Sequence, residues 1–389
     1  MPRPGVAPPS QKEHSTTKQF DTINPATEET IATHRYLEDS ALEARIEACH
    51  AAFRDWRLKS HAERGKIIQA IGEVLRARKD ELAALMTREM GKLLGQSEQE
   101  IALCAAICDY TAEQGPDVLA PEDREIAHSR IRDVTLTGSP DAGREIAQKA
   151  GKELKKTVLE LNFNDAYLVL SDADVQKAAR ICVTGRIYNN GKTCVAAKRF
   201  IVADAVYDVF KDASVAAIKG LKPGDPTNGK SDIGPVAPKD LRDDPHEQVQ
   251  QSVAKGAEIL FGGGLPESEG HYYPATVLGN VKPGQPAYDD ELFGPVAALI
   301  HAKDDEDAMR IANDSKFGLG SGIISQNVQR AVELAETEFD TGMIFINGFG
   351  LATPNMPFGG VKDSGYGREH GGFGMLEITN TKAVLVMDE

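Results

Sequence analysis

Apolar and polar positions follow two different rhythms along the 389 residues, and the change of rhythm divides the chain. From Ser40 to Glu113 apolar side chains recur every three or four positions, the period of a helix with one buried face. Leu42, Ile46, Cys49 and Phe53 make the first such stripe; Ile67, Ile68, Ile71 and Leu75 make the second. Ser40 with Glu43, and Ser60 with Glu63, have capping-box spacing, in which side chain and backbone at a helix start satisfy each other. Further helical stretches cover Asp80–Met90 and about Ser97–Glu113. Ahead of them Phe20–His34 reads as a hairpin that turns at Asn24-Pro25-Ala26-Thr27, with Ile23 and Ile31 on its flanks.

At Gln114 the helical pattern stops, and Gln114–Ser129 is polar and without period. The chain resumes as short apolar runs alternating with helical ones, which predicts an α/β unit with a parallel-type sheet. Val134–Thr137 is a strand that enters Gly138-Ser139-Pro140-Asp141-Ala142-Gly143 and a helix through Lys156. Strands follow at Thr157–Leu161 and Ala166–Leu170, then a helix over Asp172–Cys182. Arg199–Val202, Glu258–Phe261, Thr276–Leu278, Val296–His301, Ser321–Ile324 and Gly342–Asn347 read as strands. Val206–Leu221, Pro245–Ala257, Asp305–Asn313 and Asn327–Phe339 read as the helices between them. Gly262-Gly263-Gly264 reads as one more turn of the same alternation. Lys382–Met387 is an apolar strand with no local partner, the kind that pairs with another subunit's sheet edge.

The length implies at least two domains. A net charge of −15 argues against a general binder of nucleic acid or of anionic membrane. No apolar run has membrane-spanning length. Met1–Gln19 is polar and lacks an apolar signal core, so it reads as a disordered tail. Five scattered cysteines fit a reducing compartment, the cytoplasm. Cys104 and Cys108 stand four apart on a predicted helix with no further ligands near them, so they read as core packing and no metal site is expected.

The stretch with the most chemistry is Tyr188-Asn189-Asn190-Gly191-Lys192-Thr193-Cys194. A Gly-containing polar turn lets backbone approach a ligand and sets a thiol at a cleft mouth. The pattern alone leaves Cys194 open between a small core thiol and a nucleophile. Glu160, ending a strand, is the candidate base. Gly138-Ser139 is likewise open between an anion-binding helix start and an ordinary cap. Gly185–Thr193 superficially has the look of a phosphate loop, but five residues rather than four separate its glycines and no apolar strand feeds it.

Taken in order, Asn24-Pro25-Ala26-Thr27, Leu136-Thr137-Gly138-Ser139, Leu159-Glu160-Leu161, Asn190-Gly191-Lys192-Thr193-Cys194, Glu291-Leu292-Phe293-Gly294-Pro295 and Pro357-Phe358-Gly359-Gly360 onward resemble the aldehyde dehydrogenase superfamily, and within it the bacterial succinate-semialdehyde dehydrogenases. The resemblance spans nearly all of residues 20–389. It implies a two-domain α/β fold with a Rossmann-like cofactor domain and an α/β catalytic domain. It implies NAD or NADP as cofactor, a small aldehyde as substrate, and a homo-oligomer, dimer or tetramer. By the same resemblance Cys194 is the nucleophile that forms a thiohemiacetal and then a thioester, and Glu160 the base for its hydrolysis. Gly138, Ser139, Gly143 and Leu161 fall at the cofactor turn, Glu291 at the nicotinamide ribose and Phe293 beside the nicotinamide. The Cys194 N–H would be half of an oxyanion hole.

Two departures accompany the resemblance. Roughly one hundred residues that family members carry are missing at Gln114–Ser129. They hold the first strands of the cofactor sheet, the Pro-Trp-Asn motif with the second oxyanion donor, and the Lys-Pro motif at the adenosine ribose. The family's Gly-Gly after Glu-Leu is replaced here by Asn162-Phe163. The expected division is a tail at 1–19, a truncated dinucleotide-binding domain at 20–159, a catalytic domain at 160–350 and a C-terminal segment with the oligomerisation strand at 351–389. The expected activity is NAD(P)-dependent aldehyde oxidation, impaired by the missing segment. The alternatives are a residual thiol esterase or a non-catalytic subunit of full-length relatives.

Overall fold

The computed structural model describes residues 19–56, 58–118, 133–267 and 269–380. The tail before Gln19, most of the Gln114–Ser129 break and the Lys382–Met387 strand lie outside the described residues.

The N-terminal part is a hairpin followed by helices. Strands β1 (Gln19–Ile23) and β2 (Thr30–Arg35) pair antiparallel. Their turn is held by the Ala26 N–H donating to Asn24 Oδ1 at 2.9 Å, as the Asn-Pro sequence predicts. Helices α1 (Asp39–Trp56), α2 (His61–Ala77), α3 (Lys79–Met90) and α4 (Leu94–Val118) follow. The Ser60–Glu63 capping box forms at the start of α2. The Ser40 box does not: the Ala41 and Leu42 N–H groups donate to the Glu38 carbonyl, so Ser40 lies inside the first turn. Helix α4 runs through Gln114–Val118, where the sequence pattern had lost its period, because its small residues Ala105 and Gly115 pack without a strong apolar stripe.

The expected burial of the α1 and α2 stripes is not met. Leu42, Phe53, Ile67 and Ile71 are all more than 40 % exposed. The face of α2 that packs on α4 is the one carrying Gly65 and Gly72, where a Cβ at Gly65 would stand 3.0 Å from the Ala112 carbonyl oxygen; Ile67 and Ile71 lie off that face.

After β3 (Asp133–Thr137), helix α5 (Pro140–Lys152) crosses to β4 (Lys156–Glu160), which pairs parallel with β3. A Cβ at Gly143 would stand 2.6 Å from the Leu161 methyls, so the glycine lets α5 close onto the strand end.

The larger unit contains β5 (Ala166–Val169), α6 (Val175–Ile187), β6 (Arg199–Ala203), α7 (Tyr207–Lys219), α8 (Asp240–Ala254), β7 (Glu258–Phe261), β8 (Thr276–Gly279), α9 (Pro286–Asp289), β9 (Val296–Ala302), α10 (Asp305–Asn313), β10 (Phe317–Gly318), β11 (Gly320–Ile324), α11 (Val328–Thr337) and β12 (Met343–Ile346). Seven of its strands form one sheet in the order β12-β11-β5-β6-β9-β8-β7. Every pairing is parallel except β7 with β8. Gly262-Gly263-Gly264 leads from one strand to the next as the sequence reading has it, but the pair it joins is antiparallel, against the expected parallel-type sheet. The connection to β8 holds no crossover helix, which a parallel neighbour would need.

The central strands are buried on both faces, and successive residues alternate between two cores. Leu168, Ile201, Ala298 and Ile300 belong to one; Tyr167, Val169, Phe200, Val202 and Leu299 belong to the other.

The C-terminal segment returns to the first unit. β13 (Val361–Lys362) pairs with β10, β14 (Gly365–Tyr366) pairs antiparallel with β4, and α12 (Gly371–Glu377) ends the described chain. Glu160 thus ends the middle strand of a three-stranded sheet in the order β14-β4-β3, with Gly365 on one side and Thr137 on the other.

The turn after α6 fixes the rest. Asn189, Asn190 and Gly191 are consecutive left-handed residues, with φ of 51°, 56° and 78°. Asn190 holds the run in place: its side-chain amide donates to the Gly91 and Pro235 carbonyls and its Oδ1 accepts the Gly234 N–H. A Cβ on Gly191 would stand 2.3 Å from the Gly294 carbonyl oxygen. Gly191→Ala is expected to lose about 2–4 kcal/mol of stability, combining left-handed strain with overpacking. Urea unfolding followed by circular dichroism checks this against the unsubstituted chain.

Candidate functional site

Three residues past that turn, Cys194 is half buried beside Phe163, Val195, Leu319 and Phe358. It lines a cleft of about 1300 Å³. Gly138, Ser139, Glu291 and Phe293 line the same cleft, so the motifs at 138–139, 194 and 291–293 converge on one space. Burial pushes the Cys194 thiol up to about 12; Lys198 opposes the shift, while Asp165 and Glu160 add to it. The resting thiol is protonated at neutral pH, and attack requires loss of that proton.

Glu160 is 2 % exposed and lies behind the cleft rather than on its wall. Among the described residues no donor makes a well-formed hydrogen bond to either of its carboxylate oxygens. Burial, with the charge of Glu369 second, pushes its carboxyl up to about 8, against Arg368 and the Gly360 N–H. Leu161 is buried against Gly143 and also stands back from the cleft. Both residues support its floor: the Gly138 N–H donates to the Glu160 carbonyl at 2.9 Å, and the Leu161 N–H donates to the Ser364 carbonyl at 3.0 Å.

Glu291 and the Asn162-Phe163 replacement meet directly. The Phe163 N–H donates to Glu291 Oε2 at 3.3 Å, and Gln248 Nε2 donates to the Glu291 carbonyl at 3.0 Å. The Phe163 ring is 5 % exposed and packs in the cluster that holds Cys194. The ring thus occupies space on the floor of the cleft.

Several residues of the site were not singled out by the sequence. Lys198 is 2 % exposed, donates to the Cys194 carbonyl at 2.7 Å and lies 3.2 Å from Glu291 Oε1. A lysine next to a strand ordinarily reads as a solvated end; the available signal was its place four residues after Cys194 and directly before a strand that is apolar after its first residue, Arg199. Asp165 is fully buried, accepts the Gly320 N–H at 3.2 Å, and is pushed up to about 7 by burial. Lys192 lines the cleft, donates to the Met90 carbonyl at 2.8 Å, and is drawn down to about 8 by burial and then by Lys92. Cys104, expected in a core, is exposed, because the α4 face that carries it with Leu103 and Ile107 lines the cleft.

The residues present fit a dinucleotide better at one end than at the other. At the end that the resemblance assigns to the nicotinamide, Glu291 is buried at the cleft with its Oε1 3.2 Å from Lys198 Nζ, so a ribose hydroxyl would share that oxygen with the lysine. Phe293 stands on the same wall. At the phosphate end, Ser139 Oγ already accepts the Ala142 N–H and the Ser139 carbonyl accepts the Gly143 N–H. Pro140 has no N–H, and Asp141 brings a carboxylate to the helix start, paired with Arg144 at 3.1 Å. Few free donors and an added negative charge make this helix start a poor anion cradle.

The model of the aldehyde dehydrogenase family matches residues 12–127 and 122–384, so the two matched pieces meet at 122–127. The succinate-semialdehyde dehydrogenase [NADP(+)] of Deinococcus radiodurans is 34 % identical, over 94 % of this chain and 94 % of its own length. That alignment runs over 452 positions, more than the 389 residues of this chain, so the relative carries residues without a counterpart here. The succinate semialdehyde dehydrogenase [NAD(P)+] of Escherichia coli is 35 % identical, over 93 % of this chain and 96 % of its own. Among solved structures, succinic semialdehyde dehydrogenase from Streptococcus pyogenes in complex with NADP+ superposes with a TM-score of 0.90 at 29 % identity, covering 95 % of this chain and all of that one. The fold, the convergent motifs and these matches agree: the chain belongs to the aldehyde dehydrogenase family, with an internal segment of the cofactor-binding part missing.

Proposed function

We propose that this chain oxidises a short carboxylated aldehyde, of the succinate semialdehyde kind, to the acid with NAD(P), at a rate lowered by the missing segment. The observation that carries this reading is the presence of Cys194, Glu291 and Phe293 on one cleft, with the charge of Glu160 felt at the Cys194 thiol. The Cys194 sulfur adds to the aldehyde carbon as its proton leaves, and its own backbone N–H faces the developing oxyanion. NAD(P), when bound, supplies the hydride acceptor, and Glu291 and Phe293 are the residues that would hold its nicotinamide end. Glu160 then takes a proton from the water that cleaves the Cys194 thioester. The relatives named above act on succinate semialdehyde, and Lys192 suits an anionic substrate: its ammonium is held by backbone carbonyls, without a carboxylate partner among the described residues.

The lowered rate follows from what is absent. Loss of one oxyanion donor typically lowers kcat about 10²–10³-fold. An incomplete cofactor bed adds to that, because hydride transfer depends on alignment.

A steady-state assay with succinate semialdehyde and NAD or NADP is expected to give slow NAD(P)H formation, abolished in Cys194→Ala. Turnover at the level of full-length relatives would contradict the impairment, and turnover that survives Cys194→Ala would contradict the nucleophile.

Hydrolysis of an acetyl group placed on Cys194 is expected to quicken as pH rises through about 8, since the base is the ionised Glu160 and its carboxyl is raised from 4.5 to about 8. In Glu160→Gln that rise is expected to vanish, leaving hydroxide-driven hydrolysis alone. Mass spectrometry of the acetylated chain over a pH series measures it. The folded chain keeps a proton on Glu160 that the unfolded chain gives up, so this group's contribution to stability is full below about 4.5 and is lost as pH rises through about 8.

A further inference from the structure

Lys198 sits where two parts of the site compete for one positive charge. Its Nζ donates to the Cys194 carbonyl at 2.7 Å and stands 3.2 Å from Glu291 Oε1. The Phe163 ring covers it at 5.7 Å, and only 2 % of the residue is exposed, so water screens the ammonium poorly. Its backbone is fixed as well: the Lys198 N–H donates to the Asp165 carbonyl at 3.1 Å, and its own carbonyl accepts the Ala298 N–H at 3.1 Å.

We propose that Lys198 is a positioning residue shared between Cys194 and Glu291, so that the acceptor at the nicotinamide ribose governs how much of the lysine's charge is left to stabilise the Cys194 thiolate. The proposal rests on Cys194 being the nucleophile.

Every charged group facing the pair enters the balance. Lys198 is the cation that opposes the rise of the Cys194 thiol, and Asp165 and Glu160 act against ionisation. Lys198 and Arg186 favour the ionised form of Glu291, whose burial works the other way. Arg186 is itself fully buried; its Nη2 donates to the Gly191 carbonyl at 2.5 Å, and its Nε and Nη1 have no partner among the described residues. With Glu291 ionised beside it, Lys198 is largely neutralised as seen from the thiol. When another donor engages Glu291, the pairing weakens and the ammonium acts more fully on the sulfur. Ligand engagement at Glu291 and activation of the thiol are thereby linked through one side chain, with no movement of backbone required.

The test is the alkylation rate of Cys194 by iodoacetamide at fixed pH below the thiol's pKa, read by mass spectrometry of the Cys194 peptide. Peptide resolution is needed because Cys49 and Cys104 are exposed and also react. Lys198→Met is expected to slow alkylation about tenfold, the effect of one unit of pKa on the thiolate fraction. Glu291→Gln is expected to quicken it several-fold, and Lys198→Arg to stay near the original rate. Circular dichroism establishes that each variant is folded. If Lys198→Met does not fold, Lys198→Gln takes its place: Glu291→Gln is expected to quicken alkylation where Lys198 is present and to leave it unchanged beside Lys198→Gln. Quickening in both Lys198→Met and Glu291→Gln, which general loosening of the cleft would produce, overturns the proposal. So does an unchanged rate in Glu291→Gln. Alkylation needs no cofactor and no turnover, so failure here is distinct from failure of the dehydrogenase reading, which the NAD(P)H assay decides.

Discussion

Between Gly191 and the Gly294 carbonyl there is no room for a single carbon atom. The contact joins the turn that carries Cys194 to the loop that carries Glu291 and Phe293, and the rest of the site is arranged around it. Three consecutive left-handed residues are strained in isolation, each non-glycine one by about 1–2 kcal/mol. They persist because Asn190 satisfies backbone groups at Gly91, Gly234 and Pro235, tying the turn to segments from both sides of the chain. The strain is local and its support is distributed, which is the usual condition of a functional turn. Once the turn is set, Cys194 lies at the cleft floor and Lys198 reaches back to its carbonyl and across to Glu291.

The two halves of the site differ in completeness. The thiol half has Cys194, the buried Glu160 carboxyl behind it, and a seven-stranded sheet underneath. The cofactor half has a three-stranded sheet, a helix start whose N–H groups are mostly spent, and helices whose apolar residues Ile67 and Ile71 remain exposed. The family match meets at 122–127, where the missing residues would enter. Phe163 then fits as a filler: its ring is buried among the cluster beside Cys194, where the family's glycine would leave space.

Local patterns made most elements legible. Aromatic and β-branched runs such as Phe200-Ile201-Val202 marked the central strands, Asn24-Pro25 marked the hairpin and Ser60-Glu63 the α2 start. The family motifs gave Cys194, Gly138, Ser139, Glu291 and Phe293, and these do share a cleft. What escaped depends on distant partners. The pairing of β14 with β4 brings residues about two hundred positions apart together, and no periodicity reports it. Burial of the α1 and α2 stripes was expected from their spacing, but spacing shows only that a face is apolar, not that anything covers it. Lys198 escaped because a charged residue is presumed solvated until its surroundings are known.

The central claim is that the thiol half stands while the cofactor half is short of binding surface. Titration of the unmodified chain with NADP, followed by the heat of binding, tests it without any chemistry. Weak, unsaturated binding is expected across the range that saturates a full-length relative measured alongside. Saturation at the same concentrations as that relative would contradict it.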